Sequence, residues 1–399
     1  MKLLDTEIKN KVLRSMMSIL ESKKPEIIAA NKKDLDLFDK EDRAMYDRLI
    51  VDEKKVEGMI GAISEVLQQQ DPVGKIKSEQ VLENGLKIEN KTAPFGTIMI
   101  IYESRPDVTI EAAVLAFKAN NKILLKGGKE AVHSNIVLEK CWHQALEENG
   151  LDDNWIQLLH MNREETQAFL RNPTEKLDLI VPRGGERLIA FVKEHAKCAV
   201  LVSGRGNNFL YVDKDADWAQ SLEVILNAKT DKISACNALD KILVDVNIDD
   251  FSSRIKELKA ILSERGVSVL VDNKVAEVLP ESSKIKDEDI WYEEFLAMKC
   301  VLGAAEDLDG AVQMINKYSG GHSATIMTKN SDVAKEFMDQ VDSAAVYHNA
   351  STRFTDGGQM GVGAELAIST DKLHHRGPLG LEQLVTNKYY VHGNGQIRV

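Results

Sequence analysis

One thiol stands apart in this chain. Cys236 lies in the stretch ISACNALDKILV, flanked by Ser234, Ala235, Asn237 and Ala238, whose small or polar side chains leave room around a sulfur. The run Lys241-Ile242-Leu243-Val244 just beyond reads as a strand. A loop at the start of a strand or helix presents backbone N–H groups, which lower a thiol pKa from about 8.5 and can hold a developing oxyanion. A lone cysteine is more often a small buried hydrophobe. The surroundings of Cys236 shift that reading toward a nucleophile, with Asn237 beside it at the reacting centre. Cys141, Cys198 and Cys300 sit in ordinary helix or strand contexts.

A second cluster, Asn349-Ala350-Ser351-Thr352-Arg353-Phe354-Thr355-Asp356-Gly357-Gly358, packs donors, an arginine and two glycines together with almost no core-forming side chain. An inert loop gains nothing from that composition, whereas a loop that binds a charged small molecule uses all of it. His374 and His375 precede Arg376-Gly377-Pro378 without partners at metal-ligand spacing, so they read as surface or interface residues and no metal is expected.

The elements that would position these groups alternate regularly. The strand TIMIIY (97–102) leads to a helix opening at Pro106, with Ser104 or Asp107 able to cap it. The strands KILLK (122–126), IQLL, LDLIV (177–181) and CAVLV (198–202) follow, separated by helical stretches such as KEAVHSNIVLEKCWHQALEEN and ERLIAFVKEHA. A second series begins at FLYV (209–212) and continues through KILV, DDFSSRIKELKAILSER and VSVLV. Strand and helix alternating at this spacing imply parallel sheets buried on both faces. Ligands in such sheets bind beyond the carboxyl ends of the strands. Lys126-Gly127-Gly128 and Pro182-Arg183-Gly184-Gly185 both occupy that position, and backbone amides at a helix start can face a phosphate. Tight turns alone would also explain the glycines. Neither run is a G-x-G-x-x-G, and no G-x-x-x-x-G-K-[ST] is present.

The first 70 or so residues read as helical, and Asn84-Gly85 marks a hairpin near 80–96. The alternating tail LVTNKYYVHGNGQIRV supplies a late strand, and the two together suggest a small projecting sheet that pairs with another subunit. Composition bounds the rest. With 51 basic against 63 acidic residues the net charge is −12, which argues against a general nucleic-acid or anionic-membrane role. The four cysteines form no C-x-x-C pair, which disfavours a zinc site or disulfide framework and fits a reducing, cytoplasmic compartment. No run approaches the ~20 apolar residues of a membrane span, and the charged N-terminal stretch lacks the apolar centre of a signal peptide.

IYESRPDVT, LKGGKEA, VPRGG, CNALDKILV, NASTRFTDGGQMGVGAEL and HHRGPLGLEQL follow one another in an order that resembles the gamma-glutamyl phosphate reductases of the aldehyde dehydrogenase superfamily. The likeness runs from end to end, including IIAANKKDL near the start. It implies an aldehyde dehydrogenase-like α/β fold of two parallel-sheet domains plus a small oligomerisation β element. On that reading 1–79 and 97–229 form an NADPH-binding domain, 230–350 the catalytic domain, 351–382 a return segment with the substrate loop, and 80–96 with 383–399 the oligomerisation element. The implied reaction is NADPH-dependent reduction of L-glutamyl 5-phosphate to glutamate 5-semialdehyde with release of phosphate, a step of proline biosynthesis. No kinase domain precedes the matching region, so the likeness is to the separate reductase, with functional coupling to glutamate 5-kinase and a homodimeric or homotetrameric assembly as further expectations.

Residue by residue, the resemblance makes Cys236 the nucleophile. It sets Lys126, Gly127 and Gly128 on the adenosine side of the cofactor, and Pro182, Arg183, Gly184 and Gly185 near its pyrophosphate and nicotinamide. Glu294 with Phe295, in WYEEFL, would hold the nicotinamide ribose, although the adjacent Glu293 leaves that register open. Arg105 and Arg353 are the candidates for the anionic groups of the substrate, in either order, with Ser104, Asn349 and Ser351 around them. Three departures stand out. Hydrolytic relatives carry a glutamate base where this chain reads Val202-Ser203-Gly204-Arg205-Gly206, which favours reduction over hydrolysis of a thioester. Many close relatives have Cys-His where this chain has Asn208-Phe209, so no role is carried over there. Asp240 stands where glutamate is commoner, at some cost in local hydrogen bonding. The alternatives are a coenzyme A-acylating aldehyde dehydrogenase, against which STRFTDGG argues, and a silent nucleotide-binding protein on the same fold.

Overall fold

The computed structural model describes residues 2–39 and 43–398; Met1, residues 40–42 and Val399, which the helical N-terminal and tail-strand readings also cover, lie outside the described residues. The chain divides into two compact units, Met1–Val202 with Val362–Ala367 and Leu379–Val399, and Ser203–Gly361 with Ile368–Pro378. The division falls at Val202/Ser203 rather than the expected 229/230, because the strand Asn208–Val212 pairs into the second sheet. The stretch expected as a single return segment, 351–382, is likewise shared between the units.

The first unit holds a five-stranded parallel sheet in the spatial order Ile156–Leu158, Lys122–Lys126, Thr97–Tyr102, Leu179–Arg183, Ala199–Val200. Its strands are apolar on both faces. Ile98, Ile100 and Tyr102 join one core with Ile123, Leu125 and Val181, while Met99, Ile101, Leu124 and Ile180 join another. That two-residue alternation is the pleat expressed in burial. The helix Val108–Lys118 is buried at every position but Glu111. The long helix Thr6–Leu37 packs on the same core through Val12, Leu13, Met16, Ile19, Leu20 and Ile27, spaced three or four apart along most of its length. Asp5 caps it by accepting the Ile8 N–H at 2.8 Å.

Several expected boundaries move. The strand expected at 177–181 is Leu179–Arg183, and that at 198–202 is only Ala199–Val200, leaving Cys198 in the preceding turn. Asp107 makes no capping bond to the helix it precedes. The hairpin forms as Asn84-Gly85 predicts, with Gly85 at φ 85° and Asn84 Oδ1 accepting the Leu86 N–H. Its first strand, however, begins at Ile76, inside the stretch assigned to the cofactor domain. With Val385–His392 the hairpin makes a three-stranded antiparallel sheet, Lys87–Pro94 in the middle.

The second unit is built on a six-stranded parallel sheet in the order Ser268–Val271, Lys299–Ala305, Leu239–Asp245, Asn208–Val212, Ser323–Met327, Ala345–His348. Here too the faces alternate: Leu210, Val212, Ile242 and Val244 enter one core, Phe209, Tyr211, Leu243 and Ile326 the other. Among the described residues no helix is long and apolar enough to cross a membrane, and no cluster of His, Cys, Asp or Glu is arranged to hold a metal.

Candidate active site

Cys236 lies half-buried in a loop between the helix Trp218–Thr230 and the strand Leu239–Asp245. Two tight turns shape this loop: the Ala235 N–H donates to Lys232 C=O at 3.1 Å, and the Ala238 N–H to Ala235 C=O at 3.0 Å. No helix starts behind the thiol, and the amides of Ala235 and Ala238 are taken up by these turns. The loop bearing Cys236 therefore sits at the amino edge of its sheet, opposite to the edge that the general rule for open parallel sheets selects.

The loop is held by a residue to which no role had been carried over. Asn208 is fully buried at the head of the neighbouring strand. Its Nδ2 lies 2.9, 2.7 and 2.7 Å from the carbonyls of Gly206, Cys236 and Ala238, and its Oδ1 accepts the Ser323 N–H at 3.0 Å. A side chain on Gly206 would overlap the backbone of Cys236, so only glycine permits this approach. The only signal in the sequence was an amide in place of a more usual residue. Of the remaining thiols, burial pushes Cys141 and Cys300 up to about 12 and raises Cys198. A thiol so shifted holds almost no thiolate near neutrality.

The C-terminal cluster reaches the same loop through Asn237. Asn237 Nδ2 donates to the carbonyls of Arg353 (3.1 Å) and Thr355 (3.0 Å), its Oδ1 accepts from Arg353 Nη1, and its carbonyl accepts from Thr352 Oγ1 at 2.7 Å. Both amide hydrogens are thus engaged, so the Asn237 side chain clamps two loops together rather than offering a donor to a reacting group. Arg353 Nε donates to Asp231 Oδ2 at 3.1 Å, so the guanidinium plane is gripped from two sides. Thr355 Oγ1 bonds Ser323 Oγ (2.7 Å) and Tyr347 OH (2.8 Å), and Ser323 Oγ bonds His322 Nδ1 at 2.8 Å. Burial holds the His322 pKa down to about 4, so the imidazole is neutral.

Two residues expected around the substrate are otherwise occupied. Asn349, at φ 53°, pairs with Thr328 through both ends of its amide, at 2.8 and 2.9 Å, and so straps the carboxyl edge of the sheet. Ser351 caps the short turn Thr352–Phe354, its Oγ accepting the Arg353 N–H at 3.3 Å.

Asp240 is no compromise. It is buried, its Oδ1 takes the ammonium of the buried Lys229 at 2.9 Å, and its Oδ2 accepts the Phe295 N–H at 2.9 Å. The segment carrying Glu294 and Phe295 is therefore tied to the strand that follows Cys236. Glu293 is exposed with its carboxylate 4.0 Å from Lys299, whereas Glu294 is half-buried.

In the first unit the strand order reverses between Thr97–Tyr102 and Leu179–Arg183, with Tyr102 beside Arg183 at their carboxyl ends. The helix Glu186–His195 starts there without a side-chain cap. Gly185 heads it, and a Cβ at that position would meet nothing within 4 Å. A helix N-terminus at a switch point fits a dinucleotide phosphate, and here the Gly185 N–H donates to the Glu103 carboxylate at 3.3 Å. The other glycines serve the chain itself: a Cβ at Gly184 would strike Glu103 and Leu188, at Gly127 Asn135 and Tyr102, at Gly128 Glu130. Glu130 in turn receives the N–H (2.6 Å) and O–H (2.9 Å) of Ser104, a buried residue at φ 42°. Lys126 Nζ donates to Gly127 C=O at 2.7 Å, and burial lowers its pKa. Arg105 is partly exposed and pairs with Asp107 at 3.4 Å, a buried carboxylate that Lys55 also holds at 2.9 Å. Burial raises the neighbouring Glu111, and the charge of Asp107 raises it further.

The aldehyde dehydrogenase family model matches residues 1–264. A gamma-glutamyl phosphate reductase from Nautilia profundicola is 42% identical over 397 residues, 99% of this chain and 96% of that one. The crystal structure of a gamma-glutamyl phosphate reductase from Thermotoga maritima superposes with a TM-score of 0.93 at 38% identity, covering 99% of this chain and 95% of that one. An engineered glycolyl-CoA reductase with bound NADP+ shares the fold at a TM-score of 0.67, with 15% identity over 98% of this chain and 92% of that one.

Proposed function

Because the chain belongs to the aldehyde dehydrogenase family and, within it, to the gamma-glutamyl phosphate reductases, we propose that it reduces L-glutamyl 5-phosphate to L-glutamate 5-semialdehyde through a thioester on Cys236. The observation that carries this reading is the clamped guanidinium of Arg353 bonded to Asn237, the residue next to the half-buried thiol. A planar cation fixed beside a nucleophile suits an anionic acyl donor.

The Cys236 thiolate attacks the acyl-phosphate carbonyl, the carbonyl π pair moves onto oxygen, and on its return the C–O bond to phosphate breaks, leaving a thioester. NADPH, when bound, supplies the hydride that reduces the acyl carbon. Collapse of the thiohemiacetal then breaks the S–C bond, returns the thiolate and frees the aldehyde. Asn208 and Asn237 hold the thiol loop through these steps, and Arg353 and Arg105 offer charge to the substrate's phosphate and carboxylate. Lys126, the turn at Gly127 and Gly128, the Pro182–Gly185 corner, and Glu294 with Phe295 would hold the dinucleotide. The stretch from Val202 to Gly206 lacks a carboxylate that could activate water against the thioester.

The test is the reverse reaction. Glutamate semialdehyde with NADP+ should raise the reduced-nicotinamide absorbance when phosphate is added and not when coenzyme A replaces it. The opposite dependence would select the acylating alternative. The three-stranded sheet leaves Ile76, Val81, Tyr389 and Val391 exposed, and we assign it to self-association as a homodimer or homotetramer. An acyl phosphate is hydrolytically labile, so a glutamate 5-kinase is its natural functional partner. Four free thiols accord with a cytoplasmic setting.

A further inference from the structure

Asn207 and Asn208 are consecutive, fully buried, and hold two different segments. The amide of Asn208 grips the thiol loop as described above. Asn207 instead donates through Nδ2 to the carbonyls of Trp291 (2.6 Å) and Tyr318 (2.9 Å), and its Oδ1 accepts from Lys241 Nζ at 2.7 Å. The same ammonium donates to Glu293 C=O at 2.7 Å and lies 4.1 Å from the centre of the Phe295 ring. A primary amide has two donor hydrogens and an ammonium three, so this arrangement gives every one of them a receiver. Past Trp291 the segment belongs to no helix or strand until Lys299, and Leu296 sits at φ 48°. Buried backbone groups without a ladder need other partners. Here Asn207, Lys241 and Asp240 supply them.

We propose that Asn207, Asn208 and Lys241 are positioning residues forming one bracket, which holds the loop bearing Cys236 and the segment bearing Glu294 in a single register. The planar peptide unit joining the two asparagines and the strand Leu239–Asp245, which carries Lys241 only a few residues after Cys236, make the two grips mechanically one. The proposal rests on the roles read above for Cys236 and Glu294.

The experiment measures iodoacetamide alkylation of the intact protein, site by site, by mass spectrometry, and so needs no substrate. Wild type is compared with Asn208→Ala, Lys241→Met and the double variant. Each single variant should change the rate at Cys236 by at least about fivefold, the size expected from one lost hydrogen bond. Lys241→Met should do so although no Lys241 hydrogen bond reaches the thiol loop. The double variant should change the rate no more than the larger single change, since both break one unit. An unchanged rate in Lys241→Met would overturn the bracket. So would multiplicative effects, or Cys141 and Cys300 gaining reactivity in step with Cys236. Should the variants not fold, hydrogen exchange of the unmodified protein decides: peptides spanning 234–239 and 291–296 should open together as denaturant rises, and separate openings refute the idea. Absence of phosphate-dependent turnover would remove the functional reading alone, leaving these measurements to judge the bracket.

Discussion

Replacing Asn237 with alanine tests whether the thiol loop and the arginine loop work as one. The substitution deletes the Nδ2 bonds to the carbonyls of Arg353 and Thr355 and the Oδ1 bond from Arg353 Nη1, while the backbone bond from Thr352 survives. Two neutral hydrogen bonds at about 1 kcal/mol each and one to a charged group at about 1.5–3 kcal/mol total roughly 4 kcal/mol of local ordering. Among the described residues the Arg353 guanidinium would keep only its bond to Asp231, whose side chain is 54% exposed and grips weakly through water. If most of that ordering serves the transition state, kcat/KM for the acyl phosphate falls by about a hundred- to a thousandfold, at 1.36 kcal/mol per decade. Steady-state reduction of enzymatically generated glutamyl phosphate measures the loss, and direct fluorescence binding of NADPH, little changed, controls for folding. A kcat/KM within about threefold of wild type would show that the clamp does not govern reactivity.

Cys236→Ala should abolish turnover and leave NADPH binding intact; undiminished activity would exclude the thioester route. Gly206→Ala forces a methyl into the Cys236 backbone and should cost about 1–3 kcal/mol of stability, with a larger fall in kcat than in NADPH affinity. Lys241 carries a pH signature: burial, partly offset by Asp240, lowers its pKa from 10.5 to about 8. Between about 8 and 10.5 the unfolded chain binds more protons than the folded one, so stability should rise with pH across that window, by up to about 3 kcal/mol. Denaturant melts at stepped pH read this rise, and Lys241→Met should flatten it. Lys229→Met leaves the carboxylate of Asp240 buried with the Phe295 N–H and should cost about 3–5 kcal/mol. Asp240→Asn in the same background should recover much of the loss.

Much of this protein is legible from the order of its residues. Apolar runs such as TIMIIY and KILLK mark the strands, since a strand covered on both faces must be apolar throughout. Asn84-Gly85 marks the hairpin, because a tight turn needs positive φ. Cys236 is singled out by small and polar neighbours, the surroundings that the proposed nucleophile would need. Local chemistry leaves a local signature.

What only the tertiary structure decided is which partners those residues meet. The alternation of strands and helices already starts a second series at FLYV, but only the pairing of Asn208–Val212 with Leu239–Asp245 and Ser323–Met327 moves the boundary from 229/230 to Val202/Ser203. The sequence does not say that Asn208 holds carbonyls 28 and 30 positions away, that Asn237 clamps a loop 116 positions on, or that Asp240 fixes Phe295. Asn349 and Ser351 looked like ligands and turn out to tie backbone, since an isolated amide or hydroxyl reads alike in either role. A hydrogen bond depends on distance and angle between groups that folding brings together, and residues far apart in the chain carry no trace of that geometry until the sheets are built.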